Sequence, residues 1–523
     1  MTARSRPRGG HIAVWVVVSA LLLGACGGGA SGGVTSSGGE LDQTAVLRVT
    51  TAAPSRNLDP YLQTSYGGWG YLTPVFDRLI MVDSNDRMVP GLATEWNFAA
   101  DGSYLELTLR EGVSFHDGEA FDADAVAANI TRGQTMSGST VVDALSDVTS
   151  VEVVDPTHVR LHLAPGTGVE LPGRFTTNVG MMISPAAIAA GADIRNDPGE
   201  FGSGAYVVTT YVPEESLVLT RAEGENWDPA AGRVAGMEIR AIPDASTRLN
   251  GIRTGATDLT WVSSASEVAG AKDLAAGGAL NIEEVEFRNV LGVMLRSRGD
   301  LADPQLRQAI ARAIDPDEIN ALFAGTCTPY RQIYPADSWA ADESYQYPYV
   351  YDASAAQRQV KAVGPSTVTL TFGAGTNMEK PANVIQAQLT KAGIRAELNP
   401  VPNSQSEPRN AAGEFEAVVT SSLNVRVDPA ETVAQYVTGP YAFANDNAEI
   451  AALAQQAADP TMSQDGRAGL YHDIWSKTLD EALFIPICHQ TNLTVFTDNV
   501  AGAQDIPWVG SGVFDVRQVA ITR

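Results

Sequence analysis

The feature that most constrains this chain is a short apolar run, Ile12 to Leu23, preceded by Arg4, Arg6 and Arg8. The run is too short for a bilayer core of about 30 Å, which takes about 20 helical residues. A positive start and a short apolar stretch are the pattern of a secretory signal peptide, expected over residues 1–25. No later stretch is long and apolar enough to cross a membrane. The chain is therefore expected to fold outside the cytoplasm. Its 523 residues suggest about three domain-sized units.

Leu23-Gly24-Ala25-Cys26 ends the leader, and Gly27 to Gly39 is rich in Gly and Ser. Small residues before a lone cysteine resemble a bacterial lipobox, which implies that Cys26 becomes the acylated first residue. Acyl chains anchor through about 0.8 kcal/mol per buried methylene. Residues 26–44 then read as a lipid-anchored, flexible tether. The other two cysteines, Cys327 and Cys488, lack metal-site spacing. An oxidising exterior permits a disulfide between them, and two separate buried thiols are the alternative.

Lys plus Arg number 35 against 61 Asp plus Glu, a formal net charge of −26. Losing the three leader arginines makes the chain more negative still. A polyanion would be repelled, so nucleic-acid binding is excluded. Past the tether, strand and helix patterns alternate. Val46 to Thr51 is rich in β-formers. Tyr104 to Arg110 places Leu105, Leu107 and Leu109 on one face, and Val159, Leu161 and Leu163 repeat the pattern, as do Leu217 and Leu219. Asp303-Pro304 fits a helix start, with Leu306, Ile310 and Ile314 on one face. Helices are also expected over Pro381 to Lys391, closed by Gly393, and over Arg467 to Leu483, with Leu470, Ile474, Leu479 and Leu483 inward. The mixture reads as α/β or α+β, with parallel sheets expected where helices separate strands; α/β is the fold class adopted.

Catalytic and metal signals are weak. His158 and His162 share a strand face without a third ligand. Asp122 and Asp124, after His116-Asp117-Gly118-Glu119, miss the calcium-loop template and suit a turn with a helix cap at Asp122. Gly202-Ser203-Gly204 lacks the nucleophile-elbow frame. No phosphate loop, dinucleotide fingerprint or HExxH occurs. No cofactor or metal is expected, and the missing catalytic constellation points to a binder.

An ordered set of motifs resembles the family 5 extracellular solute-binding proteins of ABC importers. It comprises Leu58-Asp59-Pro60, Val75-Phe76-Asp77-Arg78-Leu79, Pro90 to Trp96, Asp101-Gly102, Leu109 to Gly118 and Phe121 to Val126. Gly202 to Tyr206, Arg248 to Leu259, Arg307 to Asp315 and Pro486-Ile487 follow. Local readings stand beside it: Asp101-Gly102 as a hairpin turn, Asp77 and Arg78 as a surface pair, Arg307 as a helix fastener. The resemblance implies a two-lobed, type II periplasmic-binding-protein-like fold with the ligand in the interlobe cleft. Lobe I is expected over 45–262, with an inserted subdomain at about 75–200, and again over 485–523. Lobe II is expected over 263–484.

The resemblance further implies a monomeric receptor, tethered to the outer face of the cell membrane by Cys26, that carries a peptide or peptide-like solute to ABC permease subunits. Peptide-binding members have an acid a few residues before an Asp-Pro pair. Here Asp428-Pro429 is present, but the acid's place falls near Val425, and Arg426 offers a cation instead. Arg296 stands where many relatives have Asn. For the cleft the expected residues are Tyr66, Trp69, Tyr71, Trp261, Arg288, Asn289, Asn424, Arg426, His489 and Gln490, with Phe287 beside them. Alternatives are a same-family receptor for a nickel chelate, an opine or a glycoside-like solute, and a secreted hydrolase.

Overall fold

The computed structural model describes residues 39–63, 66–425, 427–439, 441–443, 447–509 and 513–523. The leader, Cys26 and most of the tether lie outside the described residues, as does Arg426. Among the described residues no helix is long and apolar enough to cross a membrane.

The local patterns fold as their chemistry dictates. Strand Val46–Thr51 pairs in parallel with Gly236–Ala241 and with Leu259–Val262, and most of it is buried, as a parallel strand covered on both faces should be. In Tyr104–Leu109 the three leucines are buried and the residues between them are not. That strand pairs with Ala93–Phe98 through the Asp101-Gly102 turn, where Gly102 takes φ +70°. Asp303 caps helix Pro304–Ala313 by accepting from the Gln305 amide. Gly393, at φ +94°, ends helix Glu379–Ala392. The third helix runs Gln464–Asp480, because Ser463 caps it through the Gly466 amide. Leu483, expected inside it, lies just beyond and is buried.

One eleven-stranded mixed sheet runs through the molecule. Its spine is an antiparallel pair of long strands, Asn281–Leu295 and Phe484–Phe496. At one end of this ladder Leu259–Val262 joins Phe484–Phe496 through Val262↔Leu493 and Leu259↔Phe496. At the other end Ala417–Asn424 joins Asn281–Leu295. The register of the spine shifts between Phe287 and Val290 and again between Leu291 and Gly292.

Two lobes hang on this spine. One holds two cores made of residues from 290 to 488, with a single visitor, Val169. The other holds a core built from both chain ends, and a second under the antiparallel sheet Ala93–Phe98, Tyr104–Leu109, His158–Leu163 and Val148–Asp155. Helix Ala123–Thr135, capped by Asp122, packs within that second core. Helix Ala265–Ala276 and Leu280 follow the crossing expected near Val262. They pack with Leu249, Ile252, Val262, Leu493 and Val495.

Asp77 and Arg78 are not a surface pair: both are fully buried. Adjacent side chains diverge, and each finds its partner in the C-terminal segment. Arg78 pairs with Asp515 and also donates to the Thr176 carbonyl at 3.1 Å. Asp77 accepts from Arg517 at 2.9 Å, Ser203 at 2.9 Å and the Trp227 indole at 2.8 Å. Arg517 also donates to Asp515 at 3.0 Å, so two cations and two anions close a network. Burying charge is tolerable only when it is paired and hydrogen-bonded in this way. Burial pushes the Asp77 carboxyl up despite Arg517. It also works on Asp515, but the Arg517 and Arg78 guanidiniums hold that carboxyl below the usual range. Arg307 does fasten its helix, donating to the Glu481 carbonyl at 2.9 Å and the Leu301 carbonyl at 2.8 Å.

Candidate functional site

The lobes meet where turn Leu171–Arg174 of the first faces helix Pro429–Val433 of the second. Both are short helices with a proline in the first turn, Pro172 at the second position and Pro429 at the first, where a missing amide gives up no helical hydrogen bond. Asp428 caps the second by accepting from the Ala430 amide at 2.9 Å. Gly173 allows the close approach: a methyl group on it would lie 3.0 Å from Asp428 Cβ and closer still to the Glu431 carboxylate. Val427 packs with Val82 and Trp69, and Val169 joins a core of the opposite lobe.

Beside this contact opens a cavity of about 300 Å³. Gln63, Trp69, Asp143 and Arg174 line it from one lobe, Glu431 and Gln435 from the other. Gln435 also lines a smaller cavity of about 170 Å³ within the second lobe, together with Asn403, Tyr436 and Tyr441. A larger hollow of about 990 Å³ lies between His116, Ser203 and Trp227, wholly on the first lobe, and so joins nothing across the cleft.

Charge is concentrated around the contact. Arg174 donates to the Ala144 carbonyl at 2.6 Å, pairs with Glu170 at 2.9 Å and lies 3.8 Å from Asp147. Burial pushes the Glu170 carboxyl up, against the pull of Arg174. Across the contact burial likewise pushes Asp428 up, against Arg467 at 3.6 Å. The Tyr334 hydroxyl, raised by burial, donates to the Pro429 carbonyl at 3.1 Å.

The expected cleft residues separate into groups. Trp69 lines the interlobe cavity, on the short helix Tyr66–Gly70 that Tyr66 begins. Tyr71 turns into the core, its hydroxyl bonded to Thr51 at 2.7 Å and to the Ala53 carbonyl. Burial raises that hydroxyl to about 12. Trp261 stacks on Phe514 at 4.2 Å, and Tyr71 lies 6.4 Å from the same ring. Phe514 thus joins two of the residues expected in the cleft. Arg288 lies in the spine strand at its first register shift, and the neighbouring Asn289 is the register partner of Asn424. His489 is buried edge-on against Tyr330 at 4.3 Å, and Gln490 pairs in register with Phe287 and Cys327. Cys327 and Cys488 form a buried disulfide with Cα atoms 5.2 Å apart.

Val425 is buried in a core of the second lobe. Arg296 is buried too, donating to Asn410 Oδ1 at 2.9 Å and the Phe415 carbonyl at 2.8 Å. Sequence reasoning missed Glu170, Gly173, Arg174, Glu431, Gln435 and Phe514. The i,i+4 spacing of Glu170 and Arg174 was a signal, but Pro172 and Gly173 disguised it as loop. Ser203 is occupied by the buried Asp77 network. His158 and His162 sit beside Asp155 and Glu152 at 3.0 and 2.9 Å. Among the described residues no group of three His, Cys, Asp or Glu side chains is arranged to hold a metal.

Two lobes on a common spine, with a polar and aromatic cavity between them, define a type II solute-binding architecture. The sequence model for bacterial extracellular solute-binding proteins, family 5 (middle region), matches residues 87–443, and the chain belongs to this family. It is 26% identical over 360 residues to the glutathione-binding protein GsiB of Salmonella paratyphi A, covering 66% of this chain and 68% of that protein. It is 24% identical over 490 residues to the probable di/tripeptide-binding protein 5 of Pseudomonas aeruginosa, covering 86% and 90%. Its fold matches NikA from Brucella suis, solved in complex with Fe(III)-EDTA, with a TM-score of 0.78 at 23% identity, covering 92% of this chain and 100% of that one.

Proposed function

We propose that the protein is the receptor of an ABC importer and captures a peptide or peptide-like solute between its lobes. The observation that carries this reading is the cavity between Trp69 and Gln63 on one lobe and Glu431 and Gln435 on the other. Its volume, about 300 Å³, lies at the lower end of small-molecule sites. Relatives named for binding glutathione and di/tripeptides support a solute of that size. Solute binding favours the closed arrangement, which presents a shape that permease subunits distinguish from the empty receptor. No bond chemistry is assigned to the protein.

In this reading lobe I comprises residues 39 to about 287 and about 490 to 523, and lobe II the stretch between. The crossings then fall at the register shifts near Phe287–Val290 and at His489–Gln490, rather than near Val262 and Leu483–Pro486. The packing of helix Ala265–Ala276 on Val262 and Leu493 supports this placement. Arg288, Asn289 and Asn424 would then stand at or near the hinge. Cys26 is the proposed lipid anchor, holding a monomer at the outer membrane face through the tether. The buried Val425 favours a second reading within the family: the solute's amine is either read by other acids or absent, as in a non-peptide solute.

The test is tryptophan fluorescence of solute-stripped protein on adding a di- to pentapeptide mixture, with product analysis alongside. A saturable shift without any product is expected. Hydrolysis of the peptides, or no response to any of them, would overturn the reading.

A further inference from the structure

Arg174 is the one cation among the described residues that line the interlobe cavity. Its side chain is 17% exposed, so the guanidinium is largely dry yet reaches the cavity wall. Three groups of its own lobe hold it: the Ala144 carbonyl at 2.6 Å, Glu170 at 2.9 Å and Asp147 at 3.8 Å. A guanidinium carries five N–H donors in a planar fork. The hydrogen bond to Ala144 uses one of them, and the ion pair with Glu170 engages another nitrogen of the fork. The rest of the fork is fixed before any solute arrives, which removes the ordering cost a flexible lysine would incur.

The surroundings give the fork a direction. Glu170 and Asp147 hold it from its own lobe, while Asp143 and Glu431 occupy other parts of the lining. A uniformly anionic solute would meet those acids. A solute with one carboxylate and a distant cation would place the first on Arg174 and the second near Asp143 and Glu431. Resting on the cleft reading above, we propose that Arg174 is the specificity-determining anchor for a carboxylate of the solute, positioned by Glu170 and the Ala144 carbonyl.

The experiment compares a tripeptide mixture with free carboxyl termini against the same mixture amidated, on wild type and on Arg174→Gln. Wild type should prefer the acids by about 10- to 100-fold, the range of a charge-assisted hydrogen bond in a partly dry site. In Arg174→Gln that preference should collapse to within about threefold, with affinity for the amides little changed. Because the substitution strands Glu170, the double variant Glu170→Gln/Arg174→Gln is measured too, with its melting curve, and should lose the preference equally. Arg174→Lys, which keeps the charge but not the fork, should retain an intermediate preference. An acid-to-amide ratio unchanged in the variants, or acids and amides weakened equally, would overturn the anchor and leave the cleft reading standing. Wild type that binds neither mixture would overturn both.

Discussion

Arg517 donates to Asp77 at 2.9 Å, although 440 residues separate them and neither side chain reaches solvent. The contact ties the turn before the last strand, Ala520–Ile521, to the segment that leads into strand Ile80–Val82, and Arg78 with Asp515 doubles it. Removing one member leaves a buried charge without its partner, at a cost of about 3–5 kcal/mol. Arg517→Met and Asp77→Ala should each lower stability by that order, read from denaturant midpoints at unchanged slope. A loss below about 0.5 kcal/mol, the range of an ordinary surface substitution, would show the network to be dispensable.

Gly173 marks a close approach of the lobes. Its φ is not left-handed, so a side chain there is opposed by Asp428 and Glu431 rather than by its own backbone. Gly173→Leu should leave lobe I folded but penalise closure. Solute affinity should fall at least about tenfold, since the closed population falls by the same factor. Wild-type affinity in that variant would mean the lobes do not need this contact to hold solute.

Glu170 and Asp428 lie near one another across the contact between the lobes, and burial pushes both carboxyls up. Facing them are Arg174 and Asp147 on one side, and Arg467, Tyr334 and Tyr471 on the other. An acid whose value is higher in the closed form binds more protons there. Its contribution to closure is complete below the ordinary carboxylate value and is lost as pH rises through the raised one. Affinity for an uncharged-side-chain tripeptide should therefore strengthen as pH falls below neutrality toward the ordinary carboxylate range, with the peptide amine already protonated. Calorimetry should register proton uptake on binding, reduced in Glu170→Gln and Asp428→Asn. Proton release, or weaker binding at the acid end, would contradict the assignment.

The Cys327–Cys488 disulfide closes a loop of 161 residues within lobe II. Chain-entropy arguments put the stabilisation from so long a loop at about 3–5 kcal/mol. Cys327→Ala/Cys488→Ala should lower the unfolding midpoint accordingly while leaving the Asp77–Arg517 lobe unaffected. An unchanged midpoint would mean that the unfolded chain gains nothing from opening the loop.

What the sequence made legible was local. Leu105, Leu107 and Leu109 alternate because a half-buried strand demands it, and Asp303, Asp122 and Gly393 cap helices through hydrogen bonds to residues a few places away. Trp69, expected in the cleft because the segment after Leu58-Asp59-Pro60 carries aromatics between glycines, lines the interlobe cavity. Long-range pairing was not legible. Nothing near Asp77 or Arg78 announces Arg517 or Asp515, and the two side chains look like a natural surface pair. Tyr71 reads as a cleft aromatic until Thr51 and the Ala53 carbonyl satisfy its hydroxyl inside the lobe. Arg174 sits among Leu171, Pro172 and Gly173, too short a helix to leave a periodic trace. Its place in the cavity depends on a helix some 255 residues later, Pro429–Val433, that the fold brings across.

The central claim is that two bodies shut on a small solute. Small-angle scattering of solute-stripped protein, without and then with a saturating tripeptide mixture, tests it most directly. The account predicts a smaller radius of gyration with solute and a return to the larger value after dialysis. Identical profiles, with binding verified in the same sample by calorimetry, would contradict it.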